Sequence, residues 1–206
     1  MSETEVPNSP INNLEDNLKL SKWIVEATLP YIKGRTIEVQ SGFGSIASLI
    51  IEAGLPIHLS ESQKSNRQKL RDKLAGSPLA RSLRNIDYTT NQFHSDYQSQ
   101  LETFSTVIAV NIIDNGYYSS EVINNAKYLL HTQGRFIIIL PTYVVPFEDT
   151  LDNFDEWNRL NTSDIKKHIG TGFKLIRVRP FKWANAEREA SSSHFELAVL
   201  AIFQKR

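Results

Sequence analysis

Short β-rich runs alternate with helix-patterned segments through the first two-thirds of this chain, and that order constrains its fold more than any other feature. "RTIEV" (Arg35–Val39), Leu55–Glu61, Arg84–Thr89, "FSTVIAVNII" (Phe104–Ile113) and Arg135–Leu140 read as strands. Between them, Ser45–Ala53 and Glu121–His131 carry apolar residues at helical spacing, and Ser62–Gly76 is a polar helix closed by glycine. An amphipathic helix over Leu14–Ile32 precedes the first strand. Such alternation builds βαβ units, hence a parallel sheet with right-handed crossovers. The fourth run is apolar nearly throughout, as a strand covered on both faces should be.

The last third departs from that rhythm. "TSDIKKHI" starts a further helix capped by Thr162 or Ser163. Strands over Phe173–Phe181 and about His194–Gln204 follow, with no convincing helix between them. A link too short for a crossover predicts an antiparallel C-terminal hairpin at the sheet edge. The expected fold is α/β, Rossmann-like, with seven strands and helices on both faces. Residues 1–12 read as a mobile N-terminal arm and 13–206 as one domain.

Composition narrows the class. Lys plus Arg equals Asp plus Glu at 23 each, so nothing draws the chain generally to nucleic acid or an anionic membrane. No run approaches the roughly 20 apolar residues of a membrane span. Cysteine is absent, which excludes disulfides, thiolate metal sites and a cysteine nucleophile. With no signal-peptide pattern at the N-terminus, a cytoplasmic location is expected. The histidines (His58, His94, His131, His168, His194) show no metal-ligand spacing. Neither a Gly-x-Ser-x-Gly elbow nor a Gly-Lys-Ser/Thr phosphate loop is present.

In an open α/β sheet, ligands bind beyond the carboxyl ends of strands where strand order reverses. The first βα turn, "QSGFGS", belongs there: Gly42 and Gly44 allow unusual backbone angles and close approach of a ligand. Glu38 lies near the end of strand one. Glu61 closes strand two, where a carboxylate can accept both hydroxyl protons of a ribose. Gln40 stands where a first glycine is usual. A pair of turn glycines beside solvated acids is the plainer reading of the same residues.

With these residues the chain resembles the class I S-adenosylmethionine-dependent methyltransferases from about Trp23 to Lys205, closest to small bacterial domains of glycan or small-molecule biosynthesis. "IEVQSGFGS" looks like motif I and "HLSES" like the ribose-binding motif. "FSTVIAVNIIDN" is similar to the fourth-strand motif, and "YLLHTQGRFIIILP" to the helix, turn and fifth strand. The resemblance implies S-adenosylmethionine as cofactor. Glu38, Gln40, Gly42 and Gly44 would surround its methionine end, Glu61 would hold the ribose, Asn91 or Gln92 the adenine amine, and Asn111 and Ile112 would lie alongside. Against the family pattern, Gln40 replaces a glycine, Ser105 the Asp of strand four, Asn115 a His, Asn91 or Gln92 an acid, and "HTQG" a Pro-Gly-Gly turn.

Methyl transfer is an in-line displacement that needs positioning, exclusion of water and, for many substrates, a base. Candidate bases are His94, Asp96, Tyr117, Tyr118, Tyr143, Glu148 and Asp149, each of which reads more readily as a surface or packing residue than as a catalyst. The segment Pro141–Leu160 is aromatic and acidic. Phe147, Phe154 and Trp157 read either as the lining of a pocket for a small apolar or sugar-like molecule or as packing for a long excursion onto the sheet, and the acids disfavour nucleic acid. Substitutions in the motifs keep open an alternative, a non-catalytic binding or assembly protein whose cofactor site has lapsed.

Overall fold

The computed structural model describes residues 18–110, 113–114, 117–118, 120–141, 166–167, 169–183 and 195–206. Strands β1 (Thr36–Val39), β2 (Ile57–Ser60), β3 (Ala80–Arg84), β4 (Phe104–Val110), β7 (Leu130–Pro141), β8 (Phe173–Trp183) and β9 (Phe195–Lys205) form a seven-stranded sheet in the order β3-β2-β1-β4-β7-β9-β8. The first five of these in the sheet are parallel, and β9 runs antiparallel between β7 and β8. The C-terminal hairpin is therefore present. The short strands β5 (Ile113–Asp114) and β6 (Tyr117–Tyr118) pair separately.

Helices α1 (Leu18–Thr28), α2 (Ser45–Glu52) and α3 (Lys64–Lys73) cover one face, and α4 (Phe93–Asp96) and α5 (Ser120–Tyr128) the other. The period of two explains the division. Along β7, Phe136, Ile138 and Leu140 join the core under α5, while Ile137 and Ile139 join the core under α1 and α2. Both faces of β4 and β7 are covered, which is why those runs are continuously apolar.

Three boundaries differ from the sequence reading. Strand three lies over Ala80–Arg84, ahead of the β-rich "NIDYT": pairing with β2 ends at Ser60↔Arg84, and Ile86 and Tyr88 turn into the core beneath α4 and α5 instead. Strand four stops at Val110 and is followed by the β5–β6 hairpin. Helix α5 ends at Tyr128, because Leu130 already pairs with Phe104; His131 belongs to β7. The register then jumps between Phe104 and Thr106 to Arg135, leaving Gln133 in a left-handed conformation at φ 66°. Thr162, Ser163 and residues 1–17 lie outside the described residues.

Chain order runs outward through β1, β2 and β3 and then returns to β4 beside β1. The reversal thus falls between β1 and β4, and the glycine turn leaves β1 at that point.

Candidate functional site at the first strand-to-helix turn

Residues 40, 42 and 44 each take positive φ: Gln40 at 51°, Gly42 at 54° and Gly44 at 76°. Gln40 thus keeps the backbone a glycine would supply, at a cost of about 1–2 kcal/mol for an L-residue in this region. The two glycines serve different ends. A Cβ on Gly44 would sit 2.6 Å from Leu70 Cδ2, so Gly44 permits α2 to pack on α3. A Cβ on Gly42 would meet nothing within 4 Å, so this residue leaves open space at the turn.

The turn is tied to the ends of neighbouring elements. Ser41 N–H donates to the Ser60 carbonyl at 2.8 Å, and Gly44 N–H to the Ser41 carbonyl at 2.8 Å. From α3, Lys73 Nζ donates to the Phe43 carbonyl at 3.0 Å, and Lys69 Nζ stands 4.4 Å from the centroid of the Phe43 ring. Phe43 itself is 40% exposed.

Glu61 is drawn against this turn. Its Oε2 accepts from Gly42 N–H at 2.9 Å and its Oε1 from Gln63 N–H at 2.8 Å, and the residue is only 4% exposed. A carboxylate offers about four lone-pair sites, so acceptor capacity remains on each oxygen. Arg67 fixes the same corner by donating to the Glu61 carbonyl at 2.9 Å, to Asn85 Oδ1 at 2.9 Å, and to the Ser62 carbonyl.

Glu38 lies beneath, 3% exposed, with Oε2 buried and unpartnered among the described residues. Burial pushes its carboxyl up to about 8; the Ser41 hydroxyl opposes this, Glu61 adds to it, and Lys73 works against it. Glu38 is thus mainly a neutral acid at pH 7. An orphaned buried acid and an open glycine edge fit a ligand bearing a cationic group at this turn.

Beyond β3 the carboxylate nearest the strand end is Asp87, which the sequence reading passed over. Its Oδ1 accepts from Thr89 N–H at 2.8 Å and Thr89 Oγ1 at 2.7 Å, closing an Asx-type turn, while its own N–H donates to Tyr97 Oη at 2.8 Å. The misplaced strand boundary hid it. Asn91 and Gln92 are exposed and lie further along, in the turn that opens α4, where the Gln92 carbonyl accepts from Ser95 and Asp96 N–H at 3.0 Å each. His94 rests edge-on against Tyr128 at 5.5 Å, and Asp96 is exposed.

Ser105 sits at the opposite end of the sheet from the glycine turn. It neighbours the Thr36↔Thr106 pair at the start of β1, with its hydroxyl 3.0 Å from His131 Nε2. Its departure from the family pattern therefore lies away from the turn. Asn111, Ile112, Asn115, Tyr143, Phe147, Glu148, Asp149, Phe154 and Trp157 lie outside the described residues. Tyr117 and Tyr118 are described only as the backbone of β6.

No protein-family model matches this chain, and no curated protein matches it. Solved structures do. A S-adenosylmethionine dependent methyltransferase from Mesorhizobium loti superposes with a TM-score of 0.64 at 14% identity, over 90% of this chain and 98% of that one. A putative S-adenosylmethionine dependent methyltransferase from Listeria monocytogenes gives 0.62 at 11% identity, over 91% and 99%. A structure describing conversion of a disulfide bond into a thioacetal group during echinomycin biosynthesis gives 0.63 at 14%, over 98% and 85%. Among the described residues no helix is long and apolar enough to cross a membrane. With the switch point, the glycine turn and the antiparallel β9 all in place, this chain has the fold of the class I S-adenosylmethionine-dependent methyltransferases.

Proposed function

We propose that this protein is a cytoplasmic S-adenosylmethionine-dependent methyltransferase acting on a small molecule, a sugar-containing or biosynthetic intermediate. The observation that carries the reading is the Glu38 carboxyl, buried with Oε2 unpartnered directly under a turn whose Gly42 edge is open. When bound, the cofactor supplies an electrophilic methyl group on a sulfonium. The chain's part is to hold and orient: Gln40, Gly42 and Gly44 shape the turn, and Glu38 lies beneath it as the counter-charge for an amino group. Glu61 offers its remaining lone pairs to vicinal hydroxyls, and Asp87 is assigned the adenine amine in place of Asn91 and Gln92. Support for a small acceptor comes from the echinomycin-biosynthesis structure among the similar folds.

Calorimetric titration with S-adenosylmethionine tests the reading. Binding is expected, and Glu61→Ala should weaken it by about 2–4 kcal/mol; absence of binding at millimolar cofactor overturns it. A second reading, a non-catalytic binding or assembly protein, is favoured by the enclosure of Glu61, whose two oxygens are each engaged by the chain's own N–H groups. Turnover by the native protein excludes that alternative.

A further inference from the structure

On the sheet face opposite the glycine-turn helices, β2 and β3 gather a second set of chemically active residues. His58 pairs in register with Ser82, and Ser60 with Arg84, so the side chains of His58 and Ser82 meet and Arg84 stands one step along the same face. His58 Nδ1 and Ser82 Oγ are 2.8 Å apart. The His58 ring lies edge-on to Phe104 at 5.5 Å, and the Arg35 guanidinium stands 4.6 Å from the centroid of that same ring. The Arg35 cation and the His58 imidazole both lie against Phe104, which is fully buried.

Arg81 enters through a β-bulge. The register passes from Ile57↔Ala80 to His58↔Ser82, which leaves Arg81 as the extra residue on the edge strand, exposed and next in sequence to Ser82. Burial, followed by Arg35, Arg84 and Arg81, pushes the His58 imidazole down to about 4. Burial and Arg35 likewise push Arg84 below its ordinary value, with the Tyr88 phenol opposing. Among the described residues the charged side chains acting on His58 are thus cationic.

The carboxylates nearest in the same strands and the segment after them lie elsewhere. Glu38 and Glu61 lie beneath the glycine turn, and Asp87 closes its own turn with Thr89. Meanwhile Arg84 Nε is buried without a hydrogen-bond partner among the described residues. A buried donor of this kind calls for an absent acceptor, and Arg35, which shares the Phe104 ring with His58, and Arg84, one step along the same face, place like charges near one another that an anion would offset.

We propose that Arg35, Arg81, Arg84, His58 and Ser82 form a binding site for a phosphate dianion, free or as the phosphomonoester of a small molecule. The guanidinium forks match phosphate oxygens bidentately. The anion also reverses the field on His58: the imidazole takes up a proton, Nδ1–H then donates to Ser82 Oγ, and the Ser82 hydroxyl hydrogen is released to donate to a phosphate oxygen. The site does not depend on the methyltransferase reading, since it uses neither the glycine turn nor Glu61.

The test is an NMR titration of the full-length protein, following the His58 imidazole at pH 7 while inorganic phosphate replaces chloride at constant ionic strength. Saturable movement of His58 to imidazolium positions is expected at millimolar phosphate, with Arg84→Gln weakening it about tenfold or more. Arg81→Gln, at an exposed bulge position, should weaken it severalfold and serves if Arg84→Gln fails to fold. Glucose 6-phosphate supplies the second arm: tighter binding than inorganic phosphate identifies an esterified ligand, and equal or weaker binding identifies the free ion. A response no different from that to chloride, or one unchanged in Arg81→Gln and in Arg84→Gln, overturns the proposal.

Discussion

Replacing Glu38 by Gln should abolish a pH dependence that the wild-type protein carries. The folded carboxyl titrates at about 8 and the unfolded one at 4.5, so between these values the native state holds a proton that the unfolded chain has lost. Its contribution is therefore fully present below pH 4.5, declines as pH rises through the interval, and levels off above about 8. His58 acts with the opposite slope: folded at about 4 and unfolded at 6.5, it favours the unfolded state as pH falls through that range. The two effects oppose each other in mildly acidic solution. From 6.5 to about 8 the Glu38 change dominates, with a smaller opposing change as the unfolded His58 loses its remaining proton, and at about 1.36 kcal/mol per pH unit of full titration the wild type should lose about 1 kcal/mol. Urea denaturation followed by tryptophan fluorescence would show this as a midpoint about 0.5 M lower at pH 8 than at pH 6.5. Glu38→Gln should hold its midpoint across that range, and Glu61→Gln, which removes one cause of the raised value, should displace the wild-type decline to lower pH. Parallel curves for wild type and Glu38→Gln would refute the assignment of a neutral buried acid.

Gln40→Gly should stabilise the fold by about 0.5–1 kcal/mol, the left-handed penalty less the added entropy of glycine; an unchanged or lower midpoint would show that the side chain contributes more than its backbone costs. Gly44→Ala should destabilise by about 2–4 kcal/mol, since positive φ and contact with the buried Leu70 add together. Part of that loss should return when Leu70→Val is added, as read by a double-mutant cycle. Cofactor binding near Glu38 at pH 7 should release a proton, because an ammonium group favours the ionised carboxyl. Calorimetry in buffers of different ionisation enthalpy would then give different apparent heats, and Glu38→Gln would make them equal.

Most of the sheet was legible from alternation, because β4 and β7 are buried on both faces and their apolar runs admit little else. Strand three was misplaced for a physical reason. Ile86 and Tyr88 carry a strand-like pattern because they bury against Phe93 and its neighbours, whereas Ala80–Arg84, the segment that pairs, is half-polar at an edge. The same boundary led the sequence reading to Asn91 and Gln92 for the adenine position rather than to Asp87, the residue proposed above. At the turn, the spacing of Glu38, Gly42, Gly44 and Glu61 announced a site. Which glycine packs and which stays open depends on Leu70, a contact between helices that spacing does not encode. The capture of Glu61 by Gly42 and Gln63 N–H, and the bulge that sets Ser82 opposite His58, are likewise tertiary.

The place of β9 has a consequence for synthesis. It is made after β8 yet lies between β8 and β7, so during translation β7 keeps one free edge until residues 195–205 leave the ribosome. That edge displays Phe136–Leu140, an uncharged run of high β-propensity whose partners in β9 do not yet exist. A nascent chain stalled before β9 thus offers a template for pairing with its neighbours. Expression at slower rates or with a holdase chaperone should raise soluble yield chiefly by shielding this one edge.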